Sequence, residues 1–133
     1  MHLDGATIRN LELIRPLVDG RQDATLLAVL DRTVTAMGGR LLREWIVRPL
    51  LRIDPIRARL DAVDELLQAL ETRVAIRSAL RSVQDILRLS SRVSLGAASP
   101  RDLLALKQSV AVLPELRARA ASCRSALDRK SVV

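Results

Sequence analysis

The chain has 133 residues, 49% of them hydrophobic but only 1% aromatic, and its formal charge is +7, with 20 of the 22 basic residues arginine. That length is one domain's worth, and without Phe or Tyr its core has to be aliphatic, from a Leu-, Ala-, Val- and Arg-rich vocabulary that favours helices. One Cys and one His exclude a disulfide framework and a dedicated metal cage, and no uncharged apolar run approaches the roughly 20 residues a membrane span needs. The N-terminal stretch "MHLDGATIRN" has no signal-peptide core, so a reducing cytoplasm is the expected compartment. The basic balance favours an anionic partner, either nucleic acid or an acidic surface within a larger assembly.

In chain order, Asp4 is a good N-cap for a helix over about 5–15, with Ile8, Leu11 and Ile14 on one face and Pro16 closing it. "VDGRQD" reads as a loop, and Asp23 caps a short helix carrying Leu26, Leu27 and Leu30. Thr35 then caps a helix on which Met37, Leu41, Leu42 and Trp45 recur at helical spacing, until Pro49 ends it. Asp54 followed by Pro55 is a strong start signal. From there Ile56, Leu60, Val63, Leu67 and Leu70 step by four, three, four and three, the clearest amphipathic helix in the chain.

Residues 72–95 do not fit one straight helix. Ile76, Leu80 and Val83 share one face, while Ile86, Leu89 and Val93 share another, rotated by roughly 100°. This predicts a break near Gln84 and Asp85, with Asp85 capping a new helix that Gly96 stops. Ser99, Pro100 and Asp102 then form a cap, a first-turn proline and a capping-box partner. The helix they open is expected to bury Leu103, Leu106, Val110 and Leu113, to meet Pro114 as a kink or a new first turn, and to run to about residue 126. The fold class is therefore all-α, an irregular multi-helix bundle with a long lever-type helix near the C-terminus.

Few residues carry chemistry. Asp31, Thr33 and Thr35 cluster, but no His or Lys is near to activate a hydroxyl, so they read as capping and turn residues. Trp45 shares a face with Leu41 and Leu42 and reads as core. His2 reads as a solvated terminus and Cys123 as a small, partly buried residue or a surface thiol. Arg73, Arg77 and Arg81 stand at four-residue steps, and Arg88 and Arg92 repeat the step. They form either a track for phosphates or a solvated face that answers acidic groups of neighbouring domains. Without aromatics to stack bases, single-strand recognition is not expected.

Several stretches in order resemble the core domain of MutS, the DNA mismatch-recognition ATPase family: "LDGATIRNLEL", "LLAVLDRTVTAMGGRLLREWIVRPLL", "IRARLDAVDEL" and "DILRLSSRVSLGAASPRDLLALKQSVAVLPEL". The most specific spacing is Leu30, Asp31, Thr33, Thr35, Gly38, Arg40, Leu42, Trp45, Pro49 and Leu50; the second is Arg92 followed by Ala98, Ser99, Pro100, Arg101, Asp102 and Leu103, and Asp85 and Arg88 are counted with these as structural-motif residues. The sequence departs from the family's usual Glu at Leu87 and its usual apolar residue at Ser90.

The resemblance implies a part of a larger machine. The family reads mispairs with a Phe-x-Glu wedge, and this chain has no Phe; it hydrolyses ATP with a P-loop, and no G-x-x-x-x-G-K-[ST] occurs here. ATP and Mg would belong to the parent, and this chain would hold no cofactor and no catalytic residue. The implied partners are the clamp and ATPase domains of a MutS chain, double-stranded DNA through the parent, and the parent's homodimer, with no membrane, in a bacterial cytoplasm at the nucleoid. Residues 1–127 are expected to be the N-terminal segment of the core or lever domain, cut before the clamp insertion. The final "DRKSVV", Asp128 to Val133, is what one frame of a common sequencing adapter would translate to and is expected to be a non-native tail. The runner-up is an autonomous helical nucleic-acid-binding module that uses its arginine faces. Gly38 fits the family spacing and Gly39 does not, so Gly38 is expected to make room for another helix, with Trp45 anchoring the far end of that contact.

Overall fold

The structure, a computed structural model, describes residues 3–17, 22–121 and 123. His2 and the 128–133 tail lie outside the described residues. Those residues form an all-α fold of seven helices with no strand. No helix among them is long and apolar enough to cross a membrane. The chain divides into two compact units, Met1–Ile53 and Asp54–Val133.

In the first unit, α1 (Gly5–Asn10) starts where expected. The Asp4 carboxylate accepts the Thr7 N–H at 2.7 Å. It ends five residues early, however, because Glu12 takes a left-handed φ of 47°. That bend turns the chain so that Leu13 is buried and the Glu12 and Leu13 carbonyls accept the Leu26 and Leu27 N–H groups, at 3.2 and 2.9 Å. These two N–H groups lie at the start of α2 (Leu26–Leu30), where no helical partner exists for them. The cap of α2 is the buried Thr25, whose hydroxyl accepts from the Ala28 N–H, and Asp23 sits one turn earlier in a 3₁₀ turn over Gln22–Ala24. α2 packs on α3 (Ala36–Val47).

The second unit holds α4 (Ile53–Gln68), α5 (Leu70–Leu80), α6 (Ile86–Ser94) and α7 (Pro100–Ala120), with α7 against both α5 and α6. α4 begins one residue before Asp54, so Pro55 falls inside its first turn. At Ala69 the backbone leaves helical geometry (ψ 67°) and α5 restarts without a side-chain cap. The Arg73 guanidinium fills the gap by donating to the Leu66 and Leu67 carbonyls at 3.1 and 3.3 Å. The break before α6 falls where the rotated apolar faces place it, with Asp85 as cap, and Gly96 ends α6 with a φ of 67° that favours glycine.

The core of the second unit is small among the described residues: Ala62, Val83, Leu89, Leu116, Ala120 and Cys123. α7 runs through Pro114 without a break and does not bury the face expected of it. Leu103, Val110 and Leu113 are exposed and Leu106 is half-buried, while Ser109, Leu116 and Ala120 face inward. Large apolar residues occur around most of α7, so periodicity could not choose a face; the small Ser109 and Ala120 allow close helix approach and mark the side that packs. Outside this core, the stripe of α4 predicted from its spacing points outward, with Leu60, Val63 and Leu67 61–64% exposed.

Candidate functional site

Two constellations gather the residues singled out by the sequence. The first is the turn that enters α3. Asp31 Oδ1 accepts the Thr33 N–H at 2.9 Å and the Thr33 hydroxyl at 2.7 Å, and the Thr35 hydroxyl caps α3 by accepting the Gly38 N–H at 3.1 Å. The Thr33 hydroxyl first, then its N–H, holds the Asp31 carboxyl below the usual carboxylate range. These are capping and turn contacts.

The same turn explains the glycines, and differently from expectation. A Cβ on Gly38 would lie 3.1 Å from Thr35 Oγ1 and 3.4 Å from Thr33 Cβ; one on Gly39 would lie 3.3 Å from Thr33 Oγ1. The nearest atoms belong to the chain's own 33–35 turn, which folds over the first turn of α3. Gly39 therefore has a reason too, which the family spacing did not reveal. Further along, Leu42, Trp45 and Pro49 are half-buried and Arg40 is exposed, so Trp45 is not the sealed core residue its face implied.

The second constellation is the corner between α6 and α7. Ser99 and Asp102 form a complete capping box: the Ser99 hydroxyl accepts the Asp102 N–H at 3.2 Å, and Asp102 Oδ2 accepts the Ser99 N–H at 2.7 Å and the Ser99 hydroxyl at 2.6 Å. Pro100 occupies the first turn. The other carboxylate oxygen takes a 3.0 Å ion pair from Arg92 on α6, and the Asp102 side chain is 13% exposed. Arg92 also reaches the Ala97 carbonyl at 3.5 Å. The Ser99 hydroxyl and N–H, then Arg92 and Arg88, depress the Asp102 carboxyl. At the head of α6, Asp85 accepts the Arg88 N–H at 3.3 Å. Asp85, Arg88, Arg92, Arg101 and Asp102 line a cleft of about 380 Å³. Both carboxylates serve as caps, whereas Arg88 and Arg101 are exposed on its rim, so the cleft presents cationic donors to an acidic group.

Arg73 is turned onto the end of α4, Arg77 is half-buried, and Arg81 stands just beyond α5. No group of three or more His, Cys, Asp or Glu that could hold a metal ion occurs among the described residues.

The residue that sequence reasoning missed is Ser109. It is 0% exposed, accepts the Gln84 N–H at 2.9 Å, and donates to the Ala105 carbonyl at 2.7 Å. It thereby ties the α5–α6 connection to the middle of α7. The available signal was weak: a lone serine among apolar positions of a helix, where solvent exposure is the usual reading.

The domain model described as MutS domain III matches residues 6–132. The chain belongs to the MutS domain III family. It is 54% identical over 117 residues to the DNA mismatch repair protein MutS of Symbiobacterium thermophilum, 50% over 117 to that of Pelotomaculum thermopropionicum, and 43% over 125 to that of Syntrophomonas wolfei. These alignments cover 88, 88 and 94% of this chain but only 13, 14 and 15% of the relatives. Within this MutS domain III, the two departures from the family pattern stay out of the corner. The Leu87 side chain is 64% exposed, Ser90 is exposed, and the network through Arg92, Ser99 and Asp102 uses neither.

Proposed function

We propose that this MutS domain is a mechanical connector with no chemistry of its own, which couples a clamp around double-stranded DNA to the ATPase of a homodimeric mismatch-repair protein in the bacterial cytoplasm. The observation that carries this reading is the locked α6–α7 corner. A capping box and an ion pair fix the base of a 21-residue helix, which at 1.5 Å per residue is an arm roughly 30 Å long. A rigid base with a long arm carries a displacement from one site to another, and coupling of that kind is a free energy shared between two binding equilibria. ATP and Mg would act in the parent's nucleotide site and mispair reading in its wedge, neither on residues of this domain. The runner-up, independent nucleic-acid binding through the arginine faces, is weakened by Arg73, whose guanidinium is spent on α4 carbonyls.

The test is a full-length MutS, such as that of Symbiobacterium thermophilum, with this chain in place of its corresponding segment and Arg92→Ala as the variant. ATP affinity and mismatch affinity, each measured alone, are expected to stay near the parent values. The ATP-induced change in mismatch affinity should shrink several-fold. Unchanged coupling with a broken corner would refute the proposal, as would loss of nucleotide binding in a folded protein.

A further inference from the structure

A single residue makes the bend between α4 and α5. Ala69 has a φ of −91°, within reach of a helix, and a ψ of 67°, where a helix has about −42°. Helical bonding continues up to it from both sides. The Ala69 N–H donates to the Glu65 carbonyl, and the Ala69 carbonyl accepts the Arg73 N–H, each at 2.9 Å. No Gly or Pro stands between Leu66 and Arg73, and alanine favours a helix more than any other residue. Local sequence therefore asks for one helix over 53–80, and the bend has to be held by something else.

Arg73 is placed to hold it. Its Nη1 donates to the Leu66 and Leu67 carbonyls at 3.1 and 3.3 Å, as a cationic cap on the C-terminal end of α4. In an unbroken helix the same two oxygens accept the Leu70 and Glu71 N–H groups. The guanidinium and the helix compete for one pair of acceptors, so each arrangement excludes the other. We propose that the α4–α5 joint is a two-state hinge: bent, with Arg73 capping α4, or straight, with α4 and α5 joined and the guanidinium released. The Leu66 and Leu67 carbonyls have a donor in either state, and the two states differ chiefly by a turn of about 110° in the Ala69 ψ. α5 packs on α7, whereas α4 has no comparable helical partner among the described residues, so straightening swings α4.

Amide exchange at Leu70, Glu71 and Thr72, together with the Ala69 carbon-13 shifts, reads the hinge by NMR on the 133-residue chain. In the wild type these three amides should exchange fast and Ala69 should show non-helical shifts. Arg73→Met keeps an unbranched stem and removes the guanidinium. It should slow exchange at 70–72 by about tenfold or more and move the Ala69 shifts to helical values. Adding Leu70→Pro should restore the wild-type Ala69 shifts and fast exchange at 71 and 72, because proline suits the first turn of α5 but not the interior of a joined helix. Leu70→Pro alone should melt close to wild type, since Leu70 is 56% exposed. Wild-type amides that are already protected overturn the proposal. So does an Arg73→Met chain whose 70–72 amides exchange as fast as wild type, whether the bend persists or the segment unfolds.

Discussion

Ser109→Ala tests whether the buried link between α7 and the α5–α6 connection stabilises the domain. The substitution removes one oxygen and keeps the Cβ, so it adds no volume to a position that is 0% exposed. Two hydrogen bonds go with it. The Ala105 carbonyl is the lesser loss, since it belongs to a helix and carries two lone pairs. The Gln84 N–H is the greater, because the serine oxygen is its partner at 2.9 Å across a separation of 25 residues. A donor left unsatisfied in the interior costs about 1–3 kcal/mol, and because Gln84 is itself exposed and the bond only part-buried, the low end of about 1 kcal/mol applies. For a domain of this size stability loss lowers Tm by roughly 4 °C per kcal/mol, so a drop of about 4 °C is expected. Ser91→Ala is the matched control: its hydroxyl also donates to a helical carbonyl, that of Leu87, but it is exposed and should shift stability by less than about 0.5 kcal/mol. Thermal melts followed by circular dichroism give the first readout, and amide exchange at Gln84 gives the second. If Ser109→Ala melts like Ser91→Ala and the Gln84 amide stays protected, the reasoning fails, because water has then replaced the hydroxyl.

Three further outcomes are expected. At the α3 entry, Gly38→Val should cost about 1–3 kcal/mol by overpacking against Thr33 and Thr35, Gly39→Ala should come within about 0.5 kcal/mol of wild type because contact with the Thr33 hydroxyl offsets the helix-propensity gain, and Trp45→Ala should cost roughly 2 kcal/mol, below the value for a sealed core tryptophan; urea unfolding of each variant checks the order. Asp31 and Asp102 have carboxyl groups depressed below the ordinary 3.8, so their contribution is complete above that pH and disappears as pH falls through their lower folded values; Asp102→Asn should flatten that acid limb in stability measured against pH. The purified chain should neither bind nor hydrolyse ATP, and its duplex binding should have a Kd on the order of 10⁻⁵ M or weaker at physiological salt with no preference for a mismatch, as fluorescence titration against matched and mismatched duplexes would show.

Local chemistry was the legible part of this sequence. Asp4, Thr35, Asp85 and the Ser99–Asp102 box are caps whose partners lie three residues away, so spacing alone identifies them. The rotated faces of 72–95 located the α5–α6 break for the same reason. What spacing did not reveal depended on distant partners or on a backbone bend. The left-handed Glu12 and the non-helical Ala69 carry no Gly or Pro to announce them. The sequence leaves Arg73 open between a phosphate track and a solvated face, because its acceptors, the Leu66 and Leu67 carbonyls, exist only once the chain has bent at Ala69. The inner face of α7 is not legible from the size of its apolar residues, because the small Ser109 and Ala120 are buried beside Leu116 while Leu103, Val110 and Leu113 are exposed.

The Gln84–Ser109 bond also has a place in time. The corner bonds close loops of three to ten residues, whereas this one waits for residues 25 apart to meet. Short closures form earlier and at lower entropic cost, so the corner can assemble while α7 is still undocked. An interaction made after the transition state leaves the folding rate almost untouched and acts on the reverse step. Loss of the Ser109 hydroxyl should therefore appear as faster unfolding with nearly normal refolding, which makes this one buried oxygen a latch on the lifetime of the folded domain.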